Sequence, residues 1–202
     1  DNLAIDDDTA TFDMSAGGNN IFVAGDRASS SGSIAYTSGS GDDSLTFGTD
    51  LASAGTATFD MSLGGTNTFV AGISAASSSG SIVYTGGSGD DSLTFGGDLA
   101  YGGSATLDLG DDTAADIVTF LGTIGDNGGT VTIKNFNFNH DTIDVPVLDP
   151  AATVGITATN GGKDLTYVES NGSYTSTIIF DEIGPSGTGV IASSAQLGVN
   201  II

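Results

Sequence analysis

Two short stretches hold the residues whose types and spacing could do chemistry. Gly86-Gly87-Ser88-Gly89-Asp90-Asp91-Ser92-Leu93-Thr94 fits the nonapeptide Gly-Gly-x-Gly-x-Asp-x-apolar-x at every defined position. Ser38 to Thr46 repeats it with Ser38 in place of the first glycine. Glycines let a backbone turn tightly and aim its carbonyl oxygens at one point. The aspartate adds an anionic oxygen, and the apolar residue that follows starts a strand returning to the core. Hard oxygens from backbone and carboxylate together suit Ca²⁺. Asp43 and Asp91 are therefore the first candidates as metal ligands, with Asp42 and Asp90 beside them. Aligned turns further along add Asp111, Asp112, Asp116 and Asp141 in eroded glycine frames. A metal-free alternative stands next to this one. Asn20 and Asn67 occupy equivalent turns, so the column also reads as an Asn/Asp ladder holding turn to turn.

The elements that position these residues follow from internal repetition. Thr-Ala-Thr-Phe-Asp-Met-Ser at 9–15 returns at 56–62, and Ser-Gly-Asp-Asp-Ser-Leu-Thr-Phe-Gly at 40–48 returns at 88–96. A finer period lies inside this one. Asn20, Asp43, Asn67, Asp91, Asp116 and Asp141 are spaced by 23, 24, 24, 25 and 25 residues. Two residues after each come Phe22, Leu45, Phe69, Leu93, Val118 and Ile143; eight after come Ala28, Leu51, Ala75, Leu99 and Ile124. About eight residues back lies a third apolar set, Phe12, Ala35, Phe59, Val83, Leu107 and Ile133. Three apolar positions per period, with polar residues alternating around them and no helical periodicity, predict an all-β parallel β-solenoid. Six rungs of about 24 residues, stacked at about 4.8 Å, would stand roughly 29 Å tall.

The same alignment sends Asp13, Tyr36, Asp60, Tyr84 and Asp108 outward as a solvated column. The period ends near Pro146 and Pro150, which divides the chain into a repeat region at 1–145 and a β-rich cap at 146–202. Strands are predicted in the cap at about Thr153–Thr159, Asp164–Ser170 and Tyr174–Ile183, with Asn171-Gly172 as a hairpin turn. Asp1-Asn2-Leu3-Ala4 resembles Thr49-Asp50-Leu51-Ala52, so the first residues read as the last face of a preceding rung. Such an end is open to further pairing.

Composition narrows the function. Of 202 residues, 25 are acidic and 3 basic, a net charge of −22, which makes nucleic acid and anionic membranes poor partners and divalent cations good ones. There is no cysteine for a disulfide or thiolate site, and the single histidine, His140, reads as a turn-facing surface side chain rather than a zinc ligand. No apolar run is long enough to insert in a membrane as a helix.

On the two nonapeptides the chain resembles the RTX proteins, calcium-binding repeat proteins secreted by bacteria, and their relatives among bacterial S-layer proteins. The resemblance implies a β-roll or β-helix, Ca²⁺ in the turns and type I export to the cell surface. Thr142-Ile143-Asp144-Val145 also looks like the motif that closes such repeat regions. The expected function is structural: a calcium-stabilised extracellular repeat protein of a surface layer or filament. It would self-associate head to tail, with a cell-surface polysaccharide as a further partner. The alternative is a C-terminal RTX-type secretion or adhesion module of a larger protein. An enzyme is not expected, because acids that recur with the rung look structural and none forms a unique cluster. A polysaccharide-active β-helix is accordingly a remote reading. Ice binding is another, since Thr11, Ile34, Thr58, Ile82 and Thr106 would interrupt any threonine face.

Overall fold

The structure, a computed structural model, describes residues 3–4, 8–145, 153–159, 164–170 and 175–181. Each rung contributes one strand to each of two parallel faces, and a shorter segment to a third. Sheet one stacks β1 (Thr9–Asp13), β3 (Ser33–Thr37), β6 (Thr56–Asp60), β9 (Ser81–Thr85), β12 (Ser104–Asp108) and β14 (Thr130–Lys134). Sheet two stacks β2 (Ile21–Ala24), β4 (Ser44–Phe47), β7 (Thr68–Ala71), β10 (Ser92–Phe95), β13 (Ile117–Phe120) and β15 (Thr142–Asp144). The third face is narrower: β5 (Asp50–Leu51), β8 (Ser74–Ala75) and β11 (Asp98–Leu99), prolonged by bridges Arg27↔Asp50 and Leu99↔Ile124. This is the parallel β-solenoid of about six turns that the period requires. Among the described residues, no helix is long and apolar enough to cross a membrane.

Two of the three expected interior columns stand as aligned. Phe22, Leu45, Phe69, Leu93, Val118 and Ile143 are consecutive register partners in sheet two. All but the half-buried Phe22 are closed off from solvent. Leu51, Ala75, Leu99 and Ile124 stack likewise on the third face, above a buried Ala28. Each fully buried Leu, Ile, Val or Phe contributes about 1.5–3 kcal/mol.

The unlike rungs have a packing reason. Where sheet two points Phe69 and Ala71 inward, the next rungs point Leu45 with Phe47 and Leu93 with Phe95. Large rings thus offset one another up the axis, with Phe47, Phe59 and Phe69 at centroid distances of 5.0 and 4.8 Å.

The third column needs correction. Phe12 pairs with Tyr36, Tyr36 with Phe59, Phe59 with Tyr84 and Tyr84 with Leu107. Tyr36 and Tyr84 are therefore buried, not outward, and Ala35 and Val83 face out. The outward column beside the acids is Asp13, Thr37, Asp60, Thr85 and Asp108. Turns that end on Asp43 or Asp91 are one residue shorter than those ending on Asn20 or Asn67. Counting back a fixed eight residues thus slips by one, and a one-residue slip exchanges the two faces of a strand. The threonine reading changes with it, because Ile34 and Ile82 lie in the core. The outward partners are Thr11, Ala35, Thr58, Val83, Thr106 and Thr132, flanked by Thr9, Ser33, Thr56, Ser81, Ser104 and Thr130.

Beyond β14 the chain adds three strands to sheet one. β18 (Thr175–Asp181) pairs parallel with β14, then β17 (Asp164–Ser170) and β16 (Thr153–Thr159) follow antiparallel. Ile178 and Phe180 of β18 are buried over Val131 and Ile133, closing the core there. The expected hairpin turn at Asn171-Gly172 lies outside the described residues. At the opposite end β1 and β2 are sheet edges, and Phe12 and Phe22 are only half-buried. Ala4 pairs with Ser29 and continues the third face below them.

Candidate functional site

The ladder is built where each rung passes from sheet one to sheet two. In the two nonapeptide turns the backbones lie so close that glycine is required. A Cβ on Gly41 would collide with the Gly18 carbonyl, and one on Gly89 with the Gly65 carbonyl. This close stacking turns Asn20, Asp43, Asn67, Asp91, Asp116 and Asp141 into one column, buried except at Asn20. Each donates its backbone N–H to the side-chain oxygen of the next. The distances are 2.7 Å (Asn20 to Asp43), 3.1 Å (Asp43 to Asn67) and 2.9 Å (Asn67 to Asp91). They continue at 2.7 Å (Asp91 to Asp116) and 3.1 Å (Asp116 to Asp141). Asn137 closes the end, donating its N–H to Asp141 Oδ2 at 2.7 Å and accepting the Asp141 N–H at 2.8 Å.

Below Asp91 amides alternate with carboxylates. Asn20 Nδ2 and Asn67 Nδ2 donate to Asp43 Oδ1 and Asp91 Oδ1 at 2.8 and 3.0 Å. Above it the alternation stops, and Asp91, Asp116 and Asp141 follow one another. Burial pushes the Asp116 carboxyl up to about 8, and repulsion from Asp141, Asp91 and Asp112 adds to it. Burial likewise lifts Asp141 to about 6, against the N–H groups of Asn137 and Asp116. Asp112 completes this crowd. Its Oδ1 accepts from the Ala114 N–H at 2.8 Å, while its Oδ2 is buried without a hydrogen-bond partner.

The remaining predicted residues lie apart. Asp42 and Asp90 are exposed, and their Oδ1 atoms accept the N–H of Thr66 and Ala115 on the following rung, both at 2.9 Å. Asp111 and His140 are exposed as well. No family model, no characterised protein and no solved structure matches this chain.

Tyr36 and Tyr84 are the participants that fixed counting misses. Tyr84 donates its hydroxyl to Asp91 Oδ2 at 2.9 Å, adding to bonds from Asn67 and the Gly87 N–H. Burial and the facing carboxylate hold the Tyr84 hydroxyl well above its ordinary pKa. At the equivalent rung Tyr36 Oη and Asp43 Oδ2 are both buried with no partner. The two nonapeptides differ at one framework position, and that position explains the contrast. A Cβ at Gly86 would stand 3.0 Å from Asp91 Oδ2, whereas Ser38 carries such a carbon and directs its hydroxyl to the Gly39 carbonyl at 3.2 Å. The signal was in the sequence: Ser-Ile-Ala-Tyr-Thr and Ser-Ile-Val-Tyr-Thr alternate so that Ile and Tyr share a face.

Calcium asks for six to eight oxygens. Asp91 offers none free, since its two oxygens already accept from Asn67, Tyr84 and Gly87. Among the described residues no three acidic or histidine side chains are placed to hold one ion. The upper turn fits best. There an unpartnered buried carboxylate oxygen of Asp112 lies near two carboxyls that burial and repulsion disfavour as anions.

Proposed function

We propose that this chain is a structural β-solenoid of an extracellular bacterial assembly, a surface layer or filament, stiffened by Ca²⁺ at its acidic turns. The ladder carries this reading. An Asn or Asp recurs once per rung, and from Asp43 onward its side-chain oxygen binds the backbone of the rung before, which is a stacking role. Asp112, whose Oδ2 is buried without a hydrogen-bond partner, is the residue we assign to the cation, with backbone carbonyls and water completing its shell beside the crowded carboxyls of Asp116 and Asp141. A bound cation would supply the positive charge that this group lacks, and binding to the folded state alone would add stability. The resemblance of the nonapeptide turns to RTX and S-layer repeats agrees with both the ion and the location.

Self-association in this reading starts at the β1–β2 end. Among the described residues β1 and β2 are edge strands there and Phe12 and Phe22 are only half-buried, whereas β18 covers the sheet-one core at the other end. Unlike ends favour head-to-tail contacts, which propagate rather than close. Like-charged copies associate only where cations screen or bridge them. Electron microscopy of the purified protein with Ca²⁺ and with chelator tests this. Ordered arrays or filaments that need Ca²⁺ are expected; monodisperse single particles in both conditions would sink the reading.

A further inference from the structure

We propose that the outward face of sheet one is a binding surface for ice. The register puts two side-chain columns on this face, and on β1 through β14 neither contains a charged residue. Ten of their twelve side chains carry a hydroxyl, and one column, from Thr9 to Thr130, is hydroxyl throughout. The other two are Ala35 and Val83, which supply methyl groups at the same height. The ranks continue across the cap as Thr177 and Ile179 on β18 and Thr166 and Val168 on β17.

Regularity is what an ordered lattice can recognise. Neighbouring ranks are about 4.8 Å apart, and the two columns about 6.6 Å apart, or two residues of strand rise. Those repeats are of the same size as the oxygen spacings on faces of hexagonal ice. Each threonine presents a hydroxyl that both donates and accepts, next to a methyl that confines the water around it. A backbone fixed by parallel pairing on both sides holds these groups still, so little order has to be created on contact.

Charge separates this occupant from others. The chain carries −22, yet its acids are kept off these columns. Asp13 and Asp60, in the bordering column, turn into their own loops and accept the N–H of Ser15 and Ser62 at 3.0 and 3.1 Å. A second copy of the chain is a poorer occupant, because none of the large exposed apolar side chains lies in these columns: Ile21, Val23, Ile117 and Leu121 belong to sheet two or its border, and Leu3, Leu63, Ile73 and Tyr101 lie outside the strands. A sugar polymer is also poorer, since neither column holds an aromatic ring on which a pyranose could stack. The inference goes beyond the structural reading above and does not depend on it.

The test grows ice slowly from a stirred solution of the protein and measures how much enters the solid. The wild-type chain is expected to be enriched in the ice. Thr58→Tyr with Thr106→Tyr places two rings in mid-face and should lower that enrichment on the order of tenfold, equivalent to about 1.4 kcal/mol. Thr94→Tyr, on the outward face of sheet two, should leave it unchanged, with circular dichroism and melting confirming that every variant is folded. Wild-type protein left in the liquid overturns the proposal, as does equal loss from Thr94→Tyr. Retention on insoluble cellulose or chitin without enrichment in ice also overturns it, in favour of a polysaccharide. Calcium-dependent arrays seen by microscopy decide the structural reading separately, since arrays without ice enrichment, or the reverse, distinguish the two.

Discussion

The lower and upper halves of the ladder use the same backbone pattern with different side chains. From Asn20 to Asp91 an amide stands between successive carboxylates, and its Nδ2 donates to the acid of the next rung. From Asp91 to Asp141 no amide intervenes, and the two upper carboxyls are shifted to about 8 and about 6. In the lower half an amide donor offsets each carboxylate, although Asp43 Oδ2 stays buried without a partner; the upper half is balanced only by protons or a cation. A solenoid with identical backbone hydrogen bonds can therefore be less responsive to its surroundings at one end than at the other.

The largest expected effect comes from making the lower half resemble the upper. Asn67→Asp removes the amide donor to Asp91 and sets five carboxylates in a row from Asp43 to Asp141. Breaking such a buried charge arrangement should cost roughly 3–5 kcal/mol. In a chain of this size that lowers the melting midpoint by roughly 2–4 °C per kcal/mol. An unchanged midpoint at pH 8 would mean that the amides contribute nothing beyond their shape.

Calcium should act on the upper half alone. At a free concentration about 100 times Kd, binding to the folded state adds about 2.7 kcal/mol. Melts with Ca²⁺ and with chelator measure it, and Asp112→Asn should abolish the difference while Asp42→Asn should not. Equal midpoints in both solutions for the wild-type chain would leave the ladder as a purely hydrogen-bonded device.

Protons should substitute for the cation, with a defined sign. Folding raises the Asp116 carboxyl from 3.8 to about 8, so between those values the folded chain holds a proton that the unfolded chain has released. Stability is then full below about pH 4 and is lost as pH rises through about 8. Asp141 adds the same trend between 3.8 and about 6. Asp116→Asn, which copies Asn67, should stabilise the chain at pH 8 by roughly 1–4 kcal/mol and flatten the profile. A melting midpoint that climbs from pH 5 to pH 8 in the wild-type chain would contradict this.

Much of this was legible in the sequence, and the missing part has one cause. Apolar spacing after each Asn or Asp placed Phe69, Leu93 and Leu99 on their faces, because chain length between those positions is constant. The segment before each Asn or Asp varies by one or two residues, and there a fixed count turns Tyr36 and Tyr84 outward. Strand alternation, applied to Ser-Ile-Val-Tyr-Thr by itself, would have turned them in. The one-sided crowding of Asp112, Asp116 and Asp141 was not legible. Each acid looked like a worn copy of its counterpart, and only stacking shows which carboxyls face one another.

The smallest effect is the most selective comparison, because it sets two copies of one motif against each other. Tyr84 bonds a buried carboxylate, while the Tyr36 hydroxyl, one superperiod earlier, has no partner. Tyr84→Phe removes a bond from Asp91 but leaves its other donors in place, so it should cost about 1 kcal/mol. Tyr36→Phe removes an unsatisfied buried hydroxyl and should be neutral or slightly stabilising. Ser38→Gly converts the first turn into the second and should make Tyr36→Phe costly where it was not. A double-mutant cycle of Ser38→Gly with Tyr36→Phe measures that coupling. If the cycle closes without coupling, the serine is not what keeps Tyr36 from Asp43, and since the two turns are equal in length the difference must come from the rungs stacked on either side.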